Sequence, residues 1–464
     1  MKTAVFGTKE FYRKTFRIVL PIMLQNAITN VVGMLDNIMV GRVGTDTMSG
    51  VAIVNQLLFV YNLCVLGGLA GIGIFTAQYY GKGDEEKIRG TVRLQVIFSF
   101  LLTAAGLCIL KLFSGQLISL YLHSDGGVGD AAMTMRYAKE YLLIMYAGLL
   151  PFAFSQMYAT TLRATGETVI PMYAGAAAVL VNLAGNYVLI FGRFGIPAMG
   201  AAGAALATVI SRFVELALVA VWTHLHTDRF SFIRGVYQKL FSVPRKEAGR
   251  IMLGALPLLV NEALWSGAQA ALNQSYSVRG LSVVAALNIS GTIVNVFNGA
   301  FIAMGDAVAI MVGQRLGRGE LSEARTEARW LSVLSVLSAV LAGGLLLPVS
   351  FWFPRIYNTS AGIRSMSGSL IRISALFMPA CAYCNACYFT LRSGGRTGIT
   401  FLFDSCYVWL VGVPTAWILA NMTGIPILPM YAIVQMTEVV KCLLGWRMTA
   451  SGIWVRNLTE TGES

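Results

Sequence analysis

The sequence predicts an all-α membrane protein with twelve transmembrane helices. Of its 464 residues, 56% are hydrophobic and only 12% charged, whereas soluble domains carry roughly 25% charged residues. Twelve apolar runs recur along the chain, each long enough to cross a bilayer, which takes about 20 helical residues. Short signatures from the first half return in the second half in the same order. The alternating segments of a transmembrane barrel are missing.

The runs cover 16–35, 51–79, 93–113, 136–161, 169–191, 199–223, 249–272, 283–313, 328–351, 367–391, 397–419 and 424–447. Most are rich in Gly, Ala, Leu and Val, which allow close helix packing. The first holds Pro21, Gln25 and Asn26, is soon followed by Asp36, and lacks a small-residue cleavage site. It therefore reads as a span and not as a cleaved signal. The second ends in QYYGKGD, and DEEKIRG starts the third. The fourth closes in TLRATG. The fifth and sixth carry Asn182, Asn186 and Thr208. The seventh holds Leu256-Pro257 and Glu262. The eighth ends in VGQRLGRGE, and ELSEARTEAR starts the ninth. The tenth contains CAYCNAC and closes in TLRSGG.

The repeat is regular. Leu20-Pro21 matches Leu256-Pro257, Gly44 matches Gly280, and Gln78 matches Gln314. Gly81-Lys82-Gly83 matches Gly317-Arg318-Gly319, and Arg163 matches Arg392 after a shorter connection in the second half. Each half thus has six spans. An even number makes the repeat parallel, with a pseudo-twofold axis near the membrane normal. The expected organisation is an N-terminal six-helix bundle over 1–223, a cytoplasmic linker over 224–249 and a C-terminal six-helix bundle over 250–464. The linker sequence FSFIRGVYQKLFSVPRK is basic and amphipathic, as expected of a segment on a membrane surface.

Most Lys and Arg residues fall on one side if both termini are cytoplasmic, as the positive-inside rule requires. This explains the net charge of +13 by anionic lipid, without nucleic acid. The expected location is the inner (plasma) membrane, with the chain acting as a monomer. Seven cysteines, mostly within spans, suggest no disulfide framework. Cys381, Cys384 and Cys387 lie at helical spacing in an apolar run and read as packing residues, not as a metal or cluster site. No Walker A motif, paired catalytic acids or nucleophile–base motif is present, so neither ATP-driven transport nor an enzyme is expected.

Polar groups inside spans are costly and are functional candidates. Asp36 is the sharpest, and its repeat mate is Leu272. Asn182 and Asn186, four apart, share a helical face; their mates are Val411 and Thr415. With Thr208, these side chains can build an oxygen-lined site for a hard cation, or the carboxylate can take a proton. Glu262 is a candidate contact for a cationic substrate or a second protonation site. Arg212 with Glu215, and Glu438 with Lys441, are spaced for ion pairs along a helix. Asp306 and Asp404 carry no assignment.

MLDNIMVGRVGTDTMSGVAIVNQ, QYYGKGD, VGQRLGRGE, TLRATGET and GIWVRNLT, in this order, resemble landmarks of the multidrug and toxic compound extrusion family. The resemblance covers nearly the whole chain. It implies a twelve-helix exporter of small organic compounds, working by antiport against inward Na⁺ or H⁺, with no cofactor. It also implies that Asp36, Asn182 and Thr208 sit at coupling positions. Asn186 departs from an Asp often found there, which leaves one carboxylate. Pro21, which removes a backbone hydrogen bond, is the expected hinge of the first span. An alternative is a flippase for a lipid-linked saccharide, which would need Arg or Lys mid-span for phosphate. A sensor or channel is a third class, disfavoured by the repeat and the one-sided polar cluster.

Overall fold

The computed structural model describes residues 7–41, 43–122, 131–357 and 359–460. Twelve helices are long and apolar enough to cross a membrane, and no strand occurs among the described residues. They are α1 Lys9–Gly41, α2 Thr45–Lys82, α3 Glu85–Leu122, α4 Ala131–Ala164, α5 Val169–Phe191 and α6 Gly200–Leu225. Then follow α7 Arg245–Ser277, α8 Leu281–Gly317, α9 Leu321–Trp352, α10 Ala361–Ser393, α11 Thr397–Met422 and α12 Ile427–Ala450. Several extend well beyond the apolar run that marks them, because their charged ends continue as helix. Pro21 lies inside α1 without ending it.

Local chemistry sets the helix ends. Gly192 closes α5 in the left-handed region at φ 67°, where a residue without Cβ meets no steric penalty. Ser360 caps α10, its side chain accepting from Ile363 N at 3.3 Å; such a cap satisfies an orphan N–H. Within α11 two π-helical turns, Leu402–Cys406 and Val408–Gly412, replace regular α geometry. Such turns cluster at functional sites.

The chain forms two compact units. One comprises Met1–Asn26, Ile74–Asp84 and Ile251–Ser464; the other comprises Ala27–Gly73 and Glu85–Arg250. The cut is therefore not a single point at the linker, since α1 and α2 each contribute residues to both units.

In the first unit the repeat packs reciprocally. A Cβ on Gly81 would lie 2.0 Å from the Gln314 carbonyl oxygen, and one on Gly317 would lie 1.9 Å from that of Gln78. Gln78 and Gln314 are repeat mates, as are Gly81 and Gly317. Only glycine permits so close a backbone approach. The Gln78 side chain, fully buried, donates to Ser393 O at 2.9 Å and accepts from Leu458 N at 2.7 Å. It thereby fastens the end of α2 to the end of α10 and to the tail GIWVRNLT.

TLRATG and TLRSGG make the same turn. Gly166 and Gly395 both have positive φ, 88° and 72°, and each N–H bonds the carbonyl of the repeated arginine, Arg163 or Arg392. A turn of this shape favours glycine. The arginine side chains are not equally placed, Arg163 being half-buried. Arg392 is buried, its guanidinium 4.5 Å from the Phe389 ring centre and 5.7 Å from that of Tyr388.

The linker packs in part against its own unit. It holds two short 3-10 turns, Ser231–Ile233 and Tyr237–Lys239. Phe230, Phe232, Ile233 and Val236 are buried. Arg89 donates to Phe232 O at 3.2 Å, and Arg93 donates to Val236 O at 3.2 Å and Gly235 O at 3.1 Å. The apolar face that suggested a lipid surface is spent on the second unit's own interior.

Candidate functional site

The strongest site lies within the second unit, where α1, α5 and α6 bring Asp36, Asn182, Asn186 and Thr208 together. The i, i+4 spacing puts both asparagines on one face of α5. Asn186 Nδ2 donates to the Asp36 carboxylate in a short hydrogen bond. With the Asn182 amide oriented so that donors meet acceptors, its nitrogen donates to Asp36 Oδ1 at 3.0 Å and Oδ2 at 3.2 Å. Its oxygen then lies 3.1 Å from Thr208 Oγ1. That hydroxyl is also 3.0 Å from the Ala204 carbonyl, so its single proton has two acceptors to choose between.

Both asparagines are buried and Asp36 is half-buried. Among the described residues no Lys, Arg or His forms an ion pair with Asp36. Its charge is met only by neutral amides. Asn186 Oδ1 is buried with no hydrogen-bond donor, a costly state for a polar atom. A carboxylate without a counter-charge next to an unsatisfied carbonyl oxygen is chemically suited to a small cation or a proton.

Two further residues join the site that the sequence did not mark. Tyr141 on α4 is buried, faces Asp36 and Thr208, and donates to Asn55 Oδ1 on α2 at 3.2 Å. One tyrosine among 18, in an ordinary apolar run, carries no signal that separates it from the rest.

Glu262 does not join this group. It lies in the first unit, where it accepts from the Tyr388 hydroxyl at 3.3 Å. The two helical ion pairs expected in the sixth and twelfth spans are replaced by other contacts. Lys441 Nζ pairs with Asp404 Oδ1 at 2.8 Å, not with Glu438. Arg212 stacks over Phe152 at 4.2 Å from the ring centre, and Glu215 accepts from Gln156 at 3.4 Å. A side chain spaced for a helical neighbour is free to turn to another helix when that helix offers a better partner.

The cysteines of CAYCNAC are used in helix contacts. Cys384 Sγ lies 3.3 Å from Cys442 Sγ, and Cys442 Sγ donates to Ala380 O at 3.3 Å. Among the described residues no group of three or more His, Cys, Asp or Glu side chains is placed to hold a metal ion.

A twelve-helix bundle with internally repeated halves and a polar cluster buried among its spans defines a multi-pass membrane transporter. A sequence model of the MatE family matches residues 21–188 and 257–418, one match in each half, and the chain belongs to this family. Over 461 residues it is 25% identical to a probable multidrug resistance protein, NorM, of Thermotoga maritima, covering 98% of this chain and 95% of that one. It is 24% identical over 426 residues to the probable multidrug resistance protein YoeA of Bacillus subtilis, covering 90% and 89%. A solved MATE structure in the straight conformation shares the fold with a TM-score of 0.85 at 17% identity, covering 96% of each chain. An outward-facing multidrug resistance MATE family transporter of the MOP superfamily gives 0.83 at 18% identity, covering 97% and 99%. The family is one of transporters, not enzymes.

Proposed function

We propose that the protein is a secondary active multidrug exporter that moves organic cations or amphipathic compounds out of the cell against an inward flow of H⁺ or Na⁺. The observation that carries this reading is the Asp36 carboxylate, held by Asn182 and Asn186 without a cationic partner. Loading a cation or proton there neutralises a buried charge, and the second unit responds by changing conformation. Thr208 supplies a further oxygen ligand. Pro21 interrupts the hydrogen bonding of α1 and is the point at which that helix bends. Alternation between two access states then exchanges ion for substrate. Glu262 contributes a carboxylate for substrate or proton in the first unit.

The amide nitrogens facing Asp36 suit a protonated or ionised carboxyl, while Asn186 Oδ1 and Thr208 Oγ1 are oxygen donors for Na⁺. The protein works as a monomer in the inner membrane with both termini cytoplasmic, the arrangement that the distribution of Lys and Arg supports. The test is ethidium efflux from vesicles with Na⁺ and H⁺ gradients imposed separately. Efflux should follow at least one gradient; efflux indifferent to both would refute the reading.

A further inference from the structure

The first unit contains a second buried polar network, which the coupling site does not use. Lys441 on α12 is only 5% exposed, and its ammonium donates to Asp404 Oδ1 at 2.8 Å. Asp404 lies in the π turn of α11. Its other oxygen accepts from Asn261 Nδ2 on α7 at 3.0 Å. Asn261, almost fully buried, receives the Ser405 backbone N–H at 3.3 Å and the Ser405 hydroxyl at 2.7 Å through its own Oδ1. Asn261 Nδ2 is also 3.4 Å from the Tyr388 hydroxyl, which donates to Glu262 at 3.3 Å. Arg392 lies over the Tyr388 ring.

Asp404 and Glu262 bring two negative charges to this network, and Glu438, one turn before Lys441 on α12, acts on the ammonium from further away; Lys441 and Arg392 bring the positive charges. The two units treat their acids differently. Asp36 is met by neutral amides only, whereas Asp404 is met by an ammonium at contact distance. A lysine ammonium is a compact point charge with three donors, close in kind to a small monovalent ion. Its nitrogen also lies 5.3 Å from the Phe403 ring centre, a favourable position for a cation. Removing one partner of such a buried pair leaves the other charge unmatched, which is strongly unfavourable.

We propose that Lys441 is a tethered counter-ion that takes the place of an exchangeable cation beside Asp404. Asp404 then needs no ion from solution, and the acids left open to exchange are Asp36 in the second unit and Glu262 in the first. Lys441 acts as a positioning residue: it holds Asp404, and through Asn261 and Tyr388 it holds Glu262.

The proposal makes a gain-of-dependence prediction. It stands apart from the coupling assignment because its readout is ion-dependent stability. The full-length protein is purified in detergent in an Asp36→Asn background, which removes any response of the first site. Thermal unfolding is then followed with and without added Na⁺, and from alkaline to mildly acidic pH. Adding Lys441→Met should make the unfolding temperature rise by several degrees with Na⁺ or with acid, because Asp404 now draws its positive charge from solution. The background protein should be flat in the Na⁺ series, and its pH series, in which Glu262 still exchanges a proton, is the baseline against which Lys441→Met is read. Adding Asp404→Asn to Lys441→Met should abolish the new dependence. A folded Lys441→Met protein whose Na⁺ and pH series match those of its background would overturn the proposal. If Lys441→Met cannot be recovered but the double variant can, the loss stems from an unmatched charge, as proposed. If neither is recovered, the pair serves packing and the proposal fails.

Discussion

Asn186 donates its amide hydrogen to Asp36 while its own carbonyl oxygen stays buried without a donor. One side chain thus stabilises the carboxylate and offers a ligand beside it. Asn186→Ala removes both. A hydrogen bond to a charged group is worth about 1.5–3 kcal/mol, or roughly 10- to 150-fold in an equilibrium constant. With Na⁺ as the ion, losing the Oδ1 ligand should raise the concentration for half-maximal efflux by about tenfold; with H⁺, losing the donor to the carboxylate should move half-maximal efflux to higher pH, with expression and insertion unchanged. An unchanged ion dependence in vesicles would remove Asn186 from the site.

The reciprocal contact of Gly81 with Gln314, and of Gly317 with Gln78, predicts a position-specific intolerance of side chains. Gly317→Ala drives a methyl group against a backbone oxygen, which no rotamer change relieves. The cost should be about 1–3 kcal/mol, as for overpacking in a tight core, seen as a lower unfolding temperature in detergent. Gly344→Ala, on α9 with open space around it, should be neutral or slightly stabilising because alanine favours helix. Equal effects at the two sites would contradict the packing described.

Gln78 holds the tail through both ends of its amide. Gln78→Leu keeps the bulk but strands Ser393 O and Leu458 N, at about 1–3 kcal/mol for each buried group left unpaired. The tail after Ala450 should become open to limited proteolysis, with cleavage much faster than in the parent protein. A tail that remains protected would show that Trp454 and Leu458, both buried, hold it without Gln78.

Much of the fold was legible because the bilayer imposes a length and a composition on every span. The repeat was legible because glycines at close approaches and turns, such as Gly81, Gly317, Gly166 and Gly395, tolerate no substitute. Asp36, Asn182, Asn186 and Thr208 were legible because polar groups in apolar spans are few, and i, i+4 spacing places two of them on one face. The Lys441–Asp404 pair was not. It joins two helices, and its geometry depends on a π turn that no residue pattern announces. Lys441 also has Glu438 one turn away, a local partner that sequence spacing favours, yet the contact ion pair is made with Asp404. The burial of Arg392 was hidden for a related reason. An arginine in a turn between spans reads as headgroup-facing, but aromatic rings one and less than one helical turn before it offer an interior resting place.

The central claim is that Asp36 links ion movement to substrate movement. The most direct measurement is counterflow in sealed vesicles. An imposed ethidium gradient is the only driving force, and the opposite movement of ions is followed with an internal pH dye and with radiolabelled Na⁺. The account predicts that ethidium moving one way drives H⁺ or Na⁺ the other way through the parent protein. It also predicts that Asp36→Asn, inserted at equal density, drives neither. Ion counterflow at the parent rate through Asp36→Asn would contradict it.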